Sequence, residues 1–417
     1  MTMDDLVTIA PLAATVLVAC AVLLVDLAWP GRGRPAIATA LIGLTIVVAL
    51  IVSIGSGGER TAFGGSYTLD PLTTFLDLLF VAIVALTILF APDYLAPRGL
   101  PIAEFSTVLI FALSGAMLIA AATDLLVLFL GLELMVLPGY MLAGFAKRDA
   151  LSTEGAVKYF LLGSFSSAIF LFGLAFTWGL TGTTRVEGVA GALGAAAAGG
   201  PLSPALAMGL ALMTTGVAFK IAAVPFHYWT PDAYQGSPTP VTGYLSVGPK
   251  VGAFALIIRL FVEGLGPLRE DWLPVIVVLA ALTMTLGNLV ALTQDNVKRM
   301  LAYSSIAHTG YMLVGLAAYA AGQVEGLEGL LYYGAAYTFM NLGAFAVVGA
   351  LQKRTAVFAN LDTFAGLVRR EPWLAVLMTL FLLSLTGIPP FAGFFAKVYV
   401  ILPAVNADVP AVNWLAV

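Results

Sequence analysis

Seven ionisable side chains stand inside apolar runs of this sequence: Asp77, Glu133, Lys158, Lys220, Lys250, Arg259 and Lys397. The chain has 19 lysines and arginines, and the other cations lie in connections between the runs. A charge placed at the centre of a bilayer costs about 2.5–3.5 kcal/mol on an insertion scale, and several together cost on the order of 10 kcal/mol. A cost of that size implies a use. Amines and a carboxylate in apolar surroundings exchange protons with one another, so the default expectation is an ion or proton path facing the interior of a helix bundle. His308, in NVKRMLAYSSIAHTGYMLVGL, sits among Tyr303, Ser304, Ser305 and Thr309 and adds a group that titrates near neutral pH.

Structural readings stand beside the functional ones. Arg259 is near the end of its run and can snorkel to the headgroups. Lys158 follows Glu154 by one helical turn, the spacing of an ion pair. Asp77 can bind a backbone or hydroxyl group, and His308 can make a plain interhelical hydrogen bond. His227, beside Tyr228 and Trp229, reads equally as an interfacial anchor or as a proton entry. Glu133 is the strongest functional candidate among the acids. It lies mid-run in LFLGLELMVLPGYML, where Pro138 is expected to kink the helix.

Three of the lysines are near prolines. Pro225 follows Lys220, Pro249 precedes Lys250, and Pro389 and Pro390 precede Lys397 in LTGIPPFAGFFAKVYV. Proline and glycine inside a span open the helix and free carbonyls that can solvate an ammonium group at mid-depth. Broken helices at mid-membrane are a device of transporters.

The elements that carry these residues are apolar helices. The 417 residues are 60% hydrophobic and 10% charged, with mean hydropathy +1.00, a polytopic membrane composition. Spans of about 20 residues fall at 6–27, 36–54, 71–90, 105–121, 125–145, 155–180, 204–223, 241–261, 272–292, 297–319, 326–351 and 374–404. A further apolar run begins at Val409, and the second half of the bundle is therefore expected to be incomplete at the C-terminus. The first run lacks the basic flank of a signal peptide and is read as a retained helix. Odd-numbered spans are followed by Arg32, Arg34, Arg98, Lys147, Arg148, Lys298, Arg299, Lys353, Arg354, Arg369 and Arg370, even-numbered ones only by Arg60, Arg185 and Arg269. The basic side is expected to be cytoplasmic, with the N-terminus outside. The two breaks are five spans apart, and five is odd, so two five-helix units would have opposite topology. The predicted fold is an all-α polytopic membrane bundle with inverted five-helix repeats and two broken helices. Its parts are N-terminal helices at 1–101, a first repeat at 102–265 and a second at 266–417. GALGAAAAGG at 191–200 reads as a flexible outer loop, and the polar tail 228–240 as a connection on the basic side.

Several classes are excluded. A net charge of −4 gives no reason to expect a nucleic-acid partner. The single cysteine, Cys20, makes no internal disulfide and no cysteine-ligated iron–sulfur cluster, and reads as a small buried residue. No phosphate loop, dinucleotide fingerprint or metal cluster is present in the sequence.

The strings GLELMVLPGYMLAGF, GAVKYFLLGSF, FKIAAVPFHYWTPDAYQGSPTPVTGYLSVGPKVGAF, NVKRMLAYSSIAHTGYMLVGL and TGIPPFAGFFAKVYV resemble the antiporter-like subunits of respiratory complex I, the proton-translocating NADH–quinone oxidoreductase. Related chains occur in multisubunit sodium/proton antiporters and membrane-bound hydrogenases, which are the alternative reading. Lys397 stands where another antiporter-like subunit has a glutamate. The resemblance implies that Glu133 pairs with Lys220 at the first break, that Lys250 is a bridging lysine and His308 a central-axis histidine. It makes Lys397 the terminal lysine beside the second break and gives Lys158 a modulating position. It further implies proton translocation through a cell (inner) membrane. Other membrane-arm subunits and the lipid bilayer would be the partners. Flavin, iron–sulfur clusters and quinone would reside in partner subunits and no redox centre in this chain.

Overall fold

The computed structural model describes residues 2–197, 202–352 and 360–416. A short helix α1 (Met3–Thr8) leads into α2 (Ala10–Ala28) and α3 (Gly33–Gly55). A two-stranded antiparallel hairpin follows, β1 (Arg60–Ala62) on β2 (Tyr67–Leu69), with Arg60 opposite Leu69. Then come α4 (Pro71–Leu95), α5 (Ile102–Ala121), α6 (Leu125–Ala143), α7 (Ala150–Thr181), α8 (Val186–Ala197), α9 (Pro204–Lys220), α10 (Trp229–Gly236) and α11 (Thr239–Ile257). A π-helical turn, Ile258–Gly264, extends α11. The chain goes on through α12 (Arg269–Ala291), α13 (Val297–Ala320), α14 (Glu325–Gln352), α15 (Leu367–Arg370), α16 (Pro372–Thr386), α17 (Ala392–Val405) and α18 (Pro410–Asn413).

Helix starts follow local chemistry. Asp70, Asp124, Asp149, Ser203 and Asn296 each accept a backbone N–H from the first turn of the helix they precede. Among the described residues nine helices are long and apolar enough to cross a membrane. The three other expected spans fall short of that measure. Two are broken into α9–α10 and α16–α17, and α13 is loaded with polar residues. Lys220, Lys397 and His308 lie on these three, whereas Glu133 and Lys250 lie on helices long and apolar enough to cross.

α11 is buried along its whole length and forms the axis of the bundle. Large apolar side chains such as Leu17, Leu24, Ile42, Leu161 and Phe165 project outward from the surrounding helices, as they would toward lipid. Close packing uses small residues. A Cβ on Gly115 would lie 2.2 Å from the backbone nitrogen of Met135, so α5 and α6 touch backbone to backbone there.

The structure corrects several expectations. The tail after Tyr228 is not an exposed connection: α10 is a half-helix with Trp229, Thr230, Ala233 and Tyr234 buried, because its aromatic face packs on α7 and α13. The stretch 191–197 is helical, in α8, and leans on the π turn; residues 198–200 lie outside the described residues. Cys20 is exposed on α2 rather than buried. Lys298 is buried rather than in a solvated connection, and Lys353 and Arg354 lie outside the described residues.

Candidate functional site

Lys220 is the last residue of α9. The chain then reverses through Ala222, in the left-handed region at φ 58°, while the Ala223 N–H returns to the Ala218 carbonyl. That is the geometry of a helix C-cap placed inside the bundle. Neighbouring side chains take up the freed backbone groups. Thr283 of α12 accepts the Val224 N–H at 3.0 Å, Thr309 of α13 donates to the Ile221 carbonyl at 2.9 Å, and Trp229 donates to the Phe219 carbonyl at 3.1 Å. The break at Pro225 is thus stitched rather than loose. Lys220 Nζ points into the gap and donates to Ser167 Oγ at 2.8 Å, Tyr140 Oη at 3.3 Å and the Gly163 carbonyl at 3.5 Å.

Lys250, at mid-length of α11, donates to both the carbonyl and the hydroxyl of Ser305, at 2.5 and 2.6 Å. Thr309, one turn on, also donates to that Ser305 carbonyl at 3.2 Å. It therefore joins the lysine of the break to the lysine of the axis. From Lys250 the ring of Tyr337 lies 5.7 Å away and leads to His308, whose ring centre is 5.0 Å from that of Tyr337. His308 Nδ1 shares a 2.6 Å hydrogen bond with Tyr333. Its ring also meets Tyr311 at 5.9 Å, and Lys397 Nζ sits 4.8 Å above the Tyr311 ring.

Lys397 closes the series at the second break. Gly387, at φ 88°, ends α16, and the Thr386 carbonyl released there accepts Lys397 Nζ at 2.8 Å. Pro389 and Pro390 form the turn that separates α16 from α17. The two break lysines are not equivalent in the chain: Lys220 precedes its break and Lys397 follows the other.

Glu133 departs from expectation, and Lys158 takes its structural reading. Glu133 makes no contact ion pair with Lys220. Its Oε1 is buried without a partner, and the hydroxyl of Tyr140, two turns further along α6, fills the position beside Lys220. Lys158 pairs with Glu154 at 2.7 Å, as its spacing suggests, and also with Asp232 of α10 at 2.7 Å. The other oxygen of Asp232 takes Arg299 of α13 at 2.7 Å. Lys158 thus holds the half-helix in place from one side while Arg299 holds it from the other. It does not touch the inner series. His227 is buried, not at an interface. Arg259 is 3% exposed and doubly paired, so it does not snorkel. Asp77 is fully buried with neither oxygen bonded.

Sequence reasoning did not single out Tyr140, Ser167, Asp232, Thr283, Tyr333 or Tyr337. Their common signal, a hydroxyl or carboxyl inside an apolar run, is weak for tyrosine, serine and threonine because each fits a membrane helix without cost. Ring contacts through Tyr337 and Tyr311 space Lys250, His308 and Lys397 along one polar and aromatic track, and Lys220 meets it through the backbone that Thr309 bonds. Among the described residues no group of three or more His, Cys, Asp or Glu could hold a metal ion.

Residues 122–417 match the family described as NADH:quinone oxidoreductase/Mrp antiporter, TM. The chain is 45% identical over 414 residues to the NADH-quinone oxidoreductase subunit N of Chloroflexus aggregans, covering 99% of this chain and 83% of that one. It is 43% identical to the subunit N of Trichlorobacter lovleyi over 95% and 80% of the two chains. A chain of respiratory complex I from Thermus thermophilus superposes with TM-score 0.77 at 32% identity, covering 97% of this chain and 85% of that one. A chain of the Mrp complex from Dietzia superposes with TM-score 0.82 at 25% identity, over 100% and 77%.

Proposed function

The chain belongs to the NADH:quinone oxidoreductase/Mrp antiporter membrane family, and from that premise we propose a proton path through its buried lysines. Its function is that of a membrane-arm, proton-translocating subunit of NADH–quinone oxidoreductase, embedded by many spans and working beside other membrane-arm subunits. The relatives at 45% and 43% identity over nearly the whole chain are NADH-quinone oxidoreductase subunits N, against 25% for the Mrp chain, which favours the redox pump over the free antiporter. We assign flavin, iron–sulfur clusters and quinone to partner subunits, and to this chain only the protons.

The observation that supports the reading is the series of polar and ring contacts inside the bundle. Thr309 ties the Ile221 carbonyl beside Lys220 to the Ser305 carbonyl that accepts Lys250, and the rings of Tyr337 and Tyr311 space Lys250, His308 and Lys397; we assign the steps between these groups to water. An ammonium group held by hydroxyls and carbonyls is stable only while those acceptors stay in place. With Glu133 close, Lys220 keeps its proton; when Glu133 and the lysine separate, the proton passes to Lys250 and on to His308 and Lys397. The groups titrate as a coupled set, and two conformations that bind the proton differently are biased by quinone reduction elsewhere in the complex. Lys158 modulates this through Asp232, which positions the half-helix beyond the break. We further propose that residues 102–265 and 266–417 are inverted units, each with a break packed on the helix before it, α7 and α14. We place the N-terminus on the outer side.

In the assembled complex reconstituted in vesicles, Lys220→Ala is expected to lose most proton pumping while assembly persists. Wild-type pumping by a correctly assembled variant would overturn the role of Lys220. Glu133→Gln is expected to slow turnover, and Glu133→Asp to restore most of it.

A further inference from the structure

A second polar cluster lies away from the lysine track, on the membrane face that carries the hairpin. It is built from the N-terminal end of α4, the π turn after α11 and strand β2. Arg259 sits at its centre and donates through Nη1 to Glu263 at 2.7 Å, through Nη2 to Asp70 at 2.7 Å and to Thr73 at 2.9 Å, and through Nε to the Ala120 carbonyl at 2.8 Å. A π turn widens the helix by one residue per turn and recurs at functional positions. Here it carries both Arg259 and Glu263. The side chains grade from water inward: Glu263 is 34% exposed, Asp70 18%, Arg259 3%, and Thr73 is fully buried.

Asp77 lies one turn below Thr73 on the same face of α4. It is fully buried, neither of its oxygens has a hydrogen-bond donor, and the buried hydroxyl of Tyr67 is likewise unpartnered. The charged and titratable groups around it are Asp70 on its own helix, Arg259 on the π turn and Tyr67 on the strand. A fully buried carboxylate with no hydrogen-bond donor on either oxygen is not held as an anion. A carboxylic acid that carries its proton suits the position, and the graded series above it supplies a way for that proton to reach the aqueous face.

We propose that Asp77 is a proton-binding site of this subunit, exchanging with the hairpin face through Arg259, Asp70 and Glu263. The ligand is a proton delivered by water. In the site the proton sits on one Asp77 oxygen; on leaving, it passes to a water hydrogen-bonded to Asp70 or Glu263, and Arg259 turns toward the carboxylate left behind. Lys250 lies nine residues before Arg259 on the same helix, about 13 Å along it, so the site stands outside the central track. The proposal rests on the proton-translocating reading for its place in the cycle, but its existence as a protonated carboxyl does not.

Infrared difference spectroscopy of the assembled complex tests it. The wild type is expected to show a protonated-carboxyl C=O band that shifts in D2O. The band should be lost in Asp77→Asn and shifted rather than lost in Asp77→Glu. In vesicles, protons moved per NADH oxidised should fall in Asp77→Asn and recover in Asp77→Glu, which a merely structural role would not produce. An unchanged band in both variants overturns the site. An isotope-exchanging band with unaltered pumping in Asp77→Asn overturns the route and leaves a structural acid. Wild-type pumping in Lys220→Ala, with the Asp77 band intact, would instead strike the central track.

Discussion

Ser305 holds Lys250 through two oxygens, and Thr309 shares one of them with the backbone of the first break. Removing a hydroxyl from a buried ammonium strands part of its hydrogen-bonding capacity, at about 1–3 kcal/mol. Ser305→Ala is therefore expected to lower the melting temperature of the purified complex slightly and to slow proton pumping more than NADH oxidation. Thr309→Val strips the Ile221 carbonyl of its donor and should act on the same two readouts. If both variants pump like wild type, the hydroxyls are not part of the path. Glu133 was readable as a buried acid, but nothing in its spelling shows that Tyr140 would take the place beside Lys220.

The broken helices are elements whose ends lie inside the bundle, so their stability depends on neighbours. At the second break, a Cβ on Gly393 would lie 1.8 Å from the Ser384 carbonyl oxygen, whereas one on Gly179 meets nothing within 4 Å. Gly393→Ala is expected to destabilise the subunit by roughly 1–3 kcal/mol, seen as loss of assembled complex on a native gel, while Gly179→Ala assembles normally. At the N-terminus Asp5 accepts the Thr2 N–H of its own capping box and the Phe63 N–H of the hairpin turn. Those backbone donors, Thr2 first, hold its carboxyl below the usual carboxylate value. The tie is thus at full strength above the ordinary carboxylate pKa and is lost as pH falls through the lowered one. Amide exchange at Phe63 should quicken over that acidic window in the wild type and be fast at every pH in Asp5→Ala, which has no acceptor.

At the scale of the whole molecule the question is which way the bundle faces. On the lysine and arginine pattern the hairpin and the cluster around Arg259 are expected outside. After Cys20 is replaced by serine, a cysteine at the open turn residue Gly58 should react with a membrane-impermeant thiol reagent added to whole cells or outward-facing vesicles. Labelling only after the inner face is exposed would reverse the topology. The same reagent should leave a cysteine at Gly99, on the opposite face, unlabelled from outside. Both glycines have open space around the missing Cβ, so a cysteine there meets no neighbour, although their left-handed backbone (φ 95° and 64°) adds local strain at these exposed connections.

Composition and hydropathy determined the class, a multi-spanning helical bundle, because a bilayer demands about 20 apolar residues per crossing and tolerates few charges. The same cost marked Glu133, Lys220, Lys250 and Lys397, and prolines marked both breaks. Of the twelve expected spans, nine are helices long and apolar enough to cross among the described residues, and two of the others are broken into shorter helices. Tertiary structure decided the pairings. Arg259 is spelled like a snorkelling residue and is instead locked between Asp70 and Glu263, because α4, remote in sequence, brings an acid to it. Residues 229–236 are spelled like a loop and fold as a buried half-helix, because Trp229, Ala233 and Tyr234 pack against α7 and α13, with Asp232 paired at the rim to Lys158 and Arg299. Sequence records what each residue would cost in lipid; which partner lowers that cost depends on helices separated by tens to hundreds of residues, and only packing brings them together.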